Sequence, residues 1–379
     1  MPSDIYLILT LALILWLSPF ISGLIKTPIP AVEILIGSIL VTLGVLHKNE
    51  YFDLVAEVGF LYLMFLAGLE VNLSKLLGAS KELIQRASLF IGLLAITTIA
   101  SFYIFHLNVI YAISLPLISI GLLATISKAY PKDTKWLEIA FIVGVLGEVS
   151  SIILLTVLDA AIEVGFSLEL GEKLAILFGF IMLIVILYKA INFMFWWSPE
   201  LKDKLMPNED HAEQDIRLSM ALFFLFIVVM IRLHLELALG TFIAGVAISA
   251  FFHHKHELEE KIGNFGFGFL VPLFFIHVGT TFDLTAIKLD GVLPDALLIV
   301  ALSFAIKFIS AYPLKKFINI REGLTVALSL SMPLTLIVAV ATIGYSTKYI
   351  TLLNYYSLIL AAILEILIAM VAIKMLAKR

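Results

Sequence analysis

The sequence predicts an all-α polytopic membrane protein, because its composition is far more apolar than that of a soluble chain and its apolar residues occur in long stretches. Of its 379 residues, 61% are hydrophobic and 14% are charged, whereas a soluble globular chain is about 45–50% apolar and about 25% charged. The mean hydropathy is +1.09. Helices are the expected elements, since backbone polar groups inside a bilayer must be bonded within the protein.

A helix that crosses a bilayer takes about 17–25 predominantly apolar residues. The first such stretch lies near the N-terminus and lacks the basic segment and cleavage site of a signal peptide, so we expect it to be a membrane span. We place about thirteen spans in order along the chain, near residues 5–25, 29–46, 54–70, 87–107, 109–130, 137–158, 174–195, 216–232, 235–252, 264–282, 292–314, 321–345 and 350–376.

Thirteen spans divide into six, one and six, which predicts two inverted six-helix repeats joined by a linker helix, a plan common among secondary transporters. The whole chain, 1–379, then forms a single transmembrane domain. Its predicted parts are repeat 1 at about 5–158, the linker helix at about 174–195, a cytoplasmic loop at 198–215 and repeat 2 at about 216–376.

The basic residues predict the orientation of these spans. Lys and Arg in short loops mark the cytoplasmic side of a membrane. If the N-terminus faces outward, the cytoplasmic flanks hold most of the 25 basic residues, including those at 75–86, 128–135 and 315–321. We therefore expect the N-terminus outside and the C-terminus in the cytoplasm.

Net charge and cysteine content exclude several classes of function. The net charge is −4, and a nucleic-acid partner would require a basic surface. The chain has no cysteine, which excludes disulfides, Cys-ligated zinc, iron–sulfur clusters and thiol catalysis. We expect no cofactor and no nucleic-acid partner.

Three charged residues lie deep within predicted spans, namely Glu148, Lys307 and Glu365. A charge at this depth costs about 2.5–3.5 kcal/mol on insertion scales, so each one requires a partner or a function. The functional hypothesis for Glu148 is a carboxylate that binds a proton and a monovalent metal cation in turn, since hard cations prefer oxygen ligands. The structural alternative is that Glu148 is buried against Lys307 to hold two helices together.

The surroundings of Glu148 and two interrupted spans support a transport site. Gly144 and Gly147 precede Glu148 and open space on its helix, whereas the hydroxyl groups of Ser150 and Ser151 follow it. The fifth span ends in the segment from Gly121 to Pro131, and the twelfth has Pro333 at its centre. Breaks in corresponding spans of two repeats are the best sequence indication of a transporter site.

Three segments of the sequence resemble bacterial cation:proton antiporters of the sodium/proton exchanger superfamily, in the branch that includes the glutathione-gated potassium efflux systems. The segments are Ala56–Glu70, Ala238–Ala247 and Leu258–Gly279, and the resemblance extends over nearly the whole chain. It implies a mobile core domain that slides against a dimerisation domain, a homodimer, and a location in the bacterial inner membrane.

The resemblance also implies roles for individual residues. The essential carboxylate of the family falls on Glu148 and its core lysine on Lys307, which is expected to stabilise the empty carboxylate. Cation and proton binding would further involve Thr125, Ser127 and Ser151. The crossed, unwound helix segments fall on Thr125 to Ser127 and on Met332 to Thr335, with Pro333 between them.

The chain departs from the family pattern at two adjacent positions. The family usually has Asp at the position of Glu148, and a polar Asp, Asn or Gln where this chain has Gly147. One polar side chain is therefore missing from the site, which leaves the choice of cation and the number of protons open. Glu365 has no counterpart role in the family, so it stands as a candidate second acid, with a buried structural pair as the alternative.

The function that these observations favour is exchange of Na⁺, in preference to K⁺, for H⁺ by alternating access. Three other hypotheses stay open at this point. A sodium-coupled organic anion symporter would require a larger polar cavity and more Asn, Gln or Arg residues within the spans. An intramembrane enzyme would require clustered carboxylates with metal spacing. A transport-inactive sensor with the same fold would explain Gly147.

Overall fold

The computed structural model describes residues 2–25, 29–47, 49–69, 78–127, 129–131, 134–163, 168–197, 213–233, 235, 237–252 and 256–377. In this part of the chain every regular element is a helix and no β-strand occurs. The prediction of an all-α polytopic membrane protein is therefore confirmed.

The first half of the chain forms helices with apolar sequences and polar caps. Ser80 and Asn108 cap two of them, each accepting a hydrogen bond from a backbone N–H of the first turn. The helices are α1 (Pro2–Ile25), α2 (Ile29–Thr42), α3 (Glu50–Leu69), α4 (Lys81–Phe105), α5 (Val109–Ser114), α6 (Gly121–Ser127), α7 (Lys135–Glu163) and α8 (Leu168–Trp197).

The second half repeats this pattern. Asn319 with Glu322, and Thr351 with Asn354, form capping boxes at the start of two helices. The helices are α9 (Gln214–Leu233), α10 (Leu237–Phe252), α11 (His256–Phe265), α12 (Val271–Thr280), α13 (Val292–Ser310), α14 (Ile320–Ser329), α15 (Leu334–Ser346) and α16 (Leu352–Leu376). A π-helical segment, Gly266–Leu270, joins α11 to α12.

The chain divides into two units, and each is described by itself. The first unit comprises Met1–Phe60, Ala79–Ser151 and Phe267–Arg379. Within it α2 packs against α12, α13 packs against α16, and α16 also contacts α14 and α15. The backbones of α2 and α12 approach closely at Gly37 and Gly279, where a β-carbon on either glycine would collide with the other helix. Small residues at such crossings allow membrane helices to pack tightly.

The second unit comprises Leu61–Gly78 and Ile152–Gly266. One apolar cluster in it is formed by Ile152, Phe180, Met230, Leu235 and Leu239. The polar end of the buried Tyr62 is satisfied, because its hydroxyl donates to the Ile262 carbonyl at 3.2 Å. The second unit contains α8 to α11. The three charged residues that the sequence places deep in the membrane all lie in the first unit.

The apolar helices give a count of candidate membrane spans. Eight helices of the described residues are long and apolar enough to cross a membrane, and a ninth span results if α14 and α15 are counted together. The total of thirteen and the inverted repeats stay predictions. The predicted linker, 174–195, lies within α8, whereas 198–212 of the predicted loop lie outside the described residues and α9 begins at Gln214.

Candidate functional site

One face of α7 carries the residues that the sequence predicts around the buried carboxylate. Gly144, Gly147, Glu148 and Ser151 are separated by three, one and three positions. This spacing places them on the same side of a helix. In the structure all four face the segment between α5 and α6, which we name the first break and which comprises residues 115–120.

The Glu148 carboxylate is hydrogen-bonded to the first break. The side chain is 1% exposed. Its Oε2 accepts a hydrogen bond of 2.8 Å from the backbone N–H of Ile120, and the Ser119 side chain also bonds to the carboxylate. One turn later, the Ser151 hydroxyl oxygen accepts a hydrogen bond of 2.8 Å from the backbone N–H of Ile118. Two side chains of α7 thus satisfy backbone donors that the interrupted helix leaves free.

The first break lies earlier in the chain than the sequence predicts. Helix α5 ends at Ser114 and α6 begins at Gly121, with Pro116 between them. Pro116 has no N–H to donate, so a helical hydrogen bond is lost at this position. The placement of the break at Thr125 to Ser127 is therefore corrected, because both residues belong to α6. The sequence prediction placed the interruption within the segment from Gly121 to Pro131, whereas the break comes directly before this segment.

The two hydroxyl residues of α6 differ in their bonding. The Ser127 hydroxyl donates to the Ala124 carbonyl at 2.7 Å, within its own helix. The Thr125 hydroxyl is buried, and its oxygen has no hydrogen-bond partner among the described residues. Of the two, Thr125 is the residue whose hydroxyl no described group holds in place.

Gly147 has a packing role that explains the missing polar side chain. A β-carbon at this position would lie 2.6–2.9 Å from three atoms of the Ile118 side chain. At Gly144, a β-carbon would contact the side chains of both Ile120 and Leu330. The glycines therefore let the first break and residues at the second break, 330–333, approach the same face of α7.

The second break occurs where the sequence predicts an interruption. Helix α14 ends at Ser329, α15 begins at Leu334, and the two axes differ by 44°. Met332 and Pro333 lie in the break, with Pro333 directly before α15. Thr335 belongs to the first turn of α15. The chain is thus interrupted in both of the spans that the sequence marks as discontinuous.

Lys307 and Glu365 lie together and apart from Glu148. The Lys307 ammonium group on α13 donates to the Ser303 hydroxyl at 2.9 Å. The carboxylate that attracts it is that of Glu365 on α16, which also bonds to the Ser303 side chain. No ion pair between Lys307 and Glu148 occurs in the structure. The expected pairing of Glu148 with Lys307 is therefore corrected, because α13 packs against α16 and presents the lysine there.

One residue of the site, Ser119, was not predicted from the sequence. It is buried, it bonds to Glu148, and it lies within the first break. Its signal in the sequence is its position three residues after Pro116 inside an apolar span. No group of three or more His, Asp or Glu side chains in the described ranges could hold a metal ion. At the first break, the described side chains offer one carboxylate, that of Glu148, together with neutral hydroxyl oxygens.

The fold and the site define a multi-pass helical membrane protein with two broken helices and a buried carboxylate at one of the breaks. Residues 8–379 match the family model described as sodium/hydrogen exchanger, transmembrane. The chain belongs to this family.

Two curated proteins are examples of relatives of this chain. YjbQ of Bacillus subtilis (strain 168), provisionally named a Na(+)/H(+) antiporter, is 26% identical over 97% of this chain and 62% of its own length. AmhT of Alkalihalophilus pseudofirmus, named an ammonium/H(+) antiporter subunit, is 25% identical over 83% of this chain and 80% of its own length. The chain thus spans about three fifths of YjbQ and four fifths of AmhT.

A solved structure shares the fold. The sodium proton antiporter MjNhaP1 from Methanocaldococcus jannaschii superimposes with a TM-score of 0.66 at 15% sequence identity, covering 98% of this chain and 99% of that chain. This likeness supports the fold over the whole chain. The choice of cation depends on the side chains of the site.

Proposed function

We propose that this protein exchanges a monovalent cation, Na⁺ in preference to K⁺, for H⁺ across the bacterial inner membrane by alternating access. The single observation that carries the proposal is the buried Glu148 carboxylate bonded to the backbone of the first break. The names of the relatives, which include Na⁺/H⁺ and ammonium/H⁺ antiporters, support a monovalent cation as the substrate.

The ligands proposed for the cation are oxygen atoms around Glu148. Ser119 and the Glu148 carboxylate already lie in contact. Within the described part of the chain, no backbone N–H bonds to the carbonyl groups of residues 115–119. Carbonyl, hydroxyl and carboxylate oxygens are the ligands that hard cations take. A dehydrated Na⁺ and a proton would compete for the one negative charge of Glu148, and this competition couples the two fluxes.

Thr125 and Ser151 complete the proposed site with different roles. The unpartnered hydroxyl of Thr125 is the candidate further ligand. The Ser151 hydroxyl is engaged by the Ile118 N–H, so its proposed role is to hold the break in place. The protein is further proposed to act as a homodimer with the N-terminus outside and the C-terminus in the cytoplasm, in agreement with its distribution of Lys and Arg.

The test is exchange in proteoliposomes, in which a trapped pH dye reports proton movement on addition of Na⁺, K⁺, Li⁺ or NH₄⁺. Glu148→Gln keeps the size of the side chain and removes its charge, so it should abolish cation-driven proton movement while the protein stays folded. The matched control is Glu138→Gln, an acid in the first turn of the same helix that lies outside the site. Exchange by Glu148→Gln above the level of empty vesicles would refute the proposal.

The same assay separates the other hypotheses. A sodium-coupled anion symporter would move no protons on addition of Na⁺ alone. A transport-inactive sensor would respond to none of the four cations and would still bind one of them. Among the described residues no basic side chain pairs with Glu148, and a carboxylate in this state favours exchange over both of these hypotheses.

A further inference from the structure

Lys307 is the least exposed charged residue of the described chain. Its side chain has 0% exposure, near the C-terminal end of α13. The hydrogen bond from its ammonium group to the Ser303 hydroxyl lies within one turn of the same helix. A neutral hydroxyl does not compensate the charge of a buried ammonium group, so a carboxylate must lie nearby.

Glu365 supplies that carboxylate from the neighbouring helix. It is 1% exposed and lies in the middle of α16, which packs along α13. The Ser303 side chain bonds to Glu365 as well as to Lys307, so a single hydroxyl links the two charges. The second carboxylate oxygen, Oε2, has no hydrogen-bond partner among the described residues. Its negative charge is therefore balanced mainly by the attraction of Lys307.

Glu148 has none of these contacts. Its partners are the Ile120 backbone and the Ser119 side chain, which are neutral. The core of the first unit thus holds one buried ammonium group and three buried carboxylates, those of Glu33, Glu148 and Glu365. Glu33 accepts a hydrogen bond from Ser18, whereas the Ser303 hydroxyl links the ammonium group to Glu365. Because the interior screens charge weakly, this division decides which carboxylate is free to bind a cation.

We propose that Glu365 is a positioning residue, the fixed counter-ion of Lys307, and that the Lys307–Ser303–Glu365 cluster keeps the lysine from neutralising Glu148. This inference rests on the proposed exchange at Glu148. It replaces the hypothesis that Glu365 is a second acid of the transport cycle. It also gives Lys307 a partner other than Glu148, the carboxylate that the family resemblance implies.

The inference predicts a specific defect when the counter-ion alone is removed. In Glu365→Gln the ammonium group of Lys307 is left without a carboxylate, and its positive charge opposes entry of a cation into the core. The Na⁺ concentration for half-maximal exchange should rise about tenfold or more. A tenfold change in affinity corresponds to about 1.4 kcal/mol, which the loss of one charge interaction supplies. The maximal rate should change less, because Glu148 is intact.

The double variant Lys307→Gln with Glu365→Gln distinguishes this role from others. It removes both charges together, so the half-maximal Na⁺ concentration should return to near the wild-type value. Glu365→Asp, which keeps the charge, should lie between wild type and Glu365→Gln. If Glu365 were instead a second acid that carries a proton, exchange would require its carboxylate. The double variant would then not recover.

The experiment measures half-maximal Na⁺ concentration, maximal rate and thermal unfolding for the wild-type protein and these variants in proteoliposomes and detergent. Recovery in the double variant supports the counter-ion role. An unchanged Na⁺ dependence in Glu365→Gln, or no recovery in the double variant, would overturn it. If Glu365→Gln does not fold, the double variant decides the question alone. Failure of the proposed exchange is recognised separately, because Glu148→Gln would then still transport.

Discussion

The backbone N–H of Ile120 donates a 2.8 Å hydrogen bond to Oε2 of Glu148, across two segments that are 28 residues apart in the chain. The donor lies at the end of the first break, directly before α6 begins. A carboxylate held in this way stabilises the break and is itself held in one position. Any ligand that replaces the proton on Glu148 must therefore be accommodated by the break, which links binding to the conformation of the interrupted helix.

The first prediction concerns the missing polar side chain at position 147. Restoring it with Gly147→Asn should not create an additional cation ligand, because a β-carbon there collides with Ile118. We expect a loss of about 1–3 kcal/mol in the free energy of unfolding, as for other overpacked sites, together with slower exchange. Thermal unfolding in detergent and the proteoliposome assay measure the two effects.

The control for this prediction is Gly92→Ala in α4, where a β-carbon would have no neighbour within 4 Å. Its exchange rate should match that of the wild-type protein, and its unfolding temperature should be unchanged or higher, because alanine favours a helix more than glycine does. Exchange at an increased rate or with an added proton in Gly147→Asn would contradict the packing explanation.

The second prediction compares adjacent serines on α7. Ser151→Ala leaves the buried Ile118 N–H without its acceptor, which should cost about 1–3 kcal/mol of stability. Ser150→Ala removes a hydroxyl that bonds to the Gly147 carbonyl of its own helix, so it should cost less. Denaturation of both variants under one set of conditions gives the comparison. Equal losses would mean that Ser151 does not hold the first break.

Much of the fold could be predicted from the sequence because the bilayer permits few structures. Long apolar stretches and Pro333 were sufficient to predict a polytopic helical protein and the second break. The first break was misplaced because the segment from Gly121 to Pro131 was taken as the interruption, whereas the break lies at Pro116, where proline removes a helical hydrogen bond. The partner of Lys307 could not be predicted from depth in the membrane, since Glu148 and Glu365 both lie mid-span and only helix packing distinguishes them.

The third prediction concerns the two hydroxyl residues of α6. In Thr125→Val the isosteric methyl group replaces a buried hydroxyl that has no partner, so the protein should be as stable as wild type or more stable by about 1 kcal/mol. If Thr125 supplies a ligand oxygen, the half-maximal Na⁺ concentration should nevertheless rise. Ser127→Ala is the control, since its hydroxyl bonds only to Ala124 within α6. Wild-type Na⁺ dependence in Thr125→Val would remove Thr125 from the site.

The last prediction concerns the charge moved in each cycle. In the proposed cycle Glu148 trades one proton for one cation, and the proposed Lys307–Glu365 pair has no net charge to exchange, so a complete cycle would move no charge across the membrane. The exchange rate should then be independent of an imposed potential, although a potential contributes about 2.3 kcal/mol per 100 mV for every charge that a cycle does move.

The measurement compares Na⁺-driven proton movement in vesicles held at zero and at about −100 mV by a K⁺ gradient with valinomycin. The wild-type protein and the Lys307→Gln, Glu365→Gln double variant should both show equal rates at the two potentials. Acceleration of the wild-type protein alone would show that a proton travels on the lysine–glutamate pair, whereas acceleration of both would place a second titrating group elsewhere in the core. Either outcome would contradict one-for-one exchange, and only the first would also contradict the assignment of Glu365 as a fixed counter-ion.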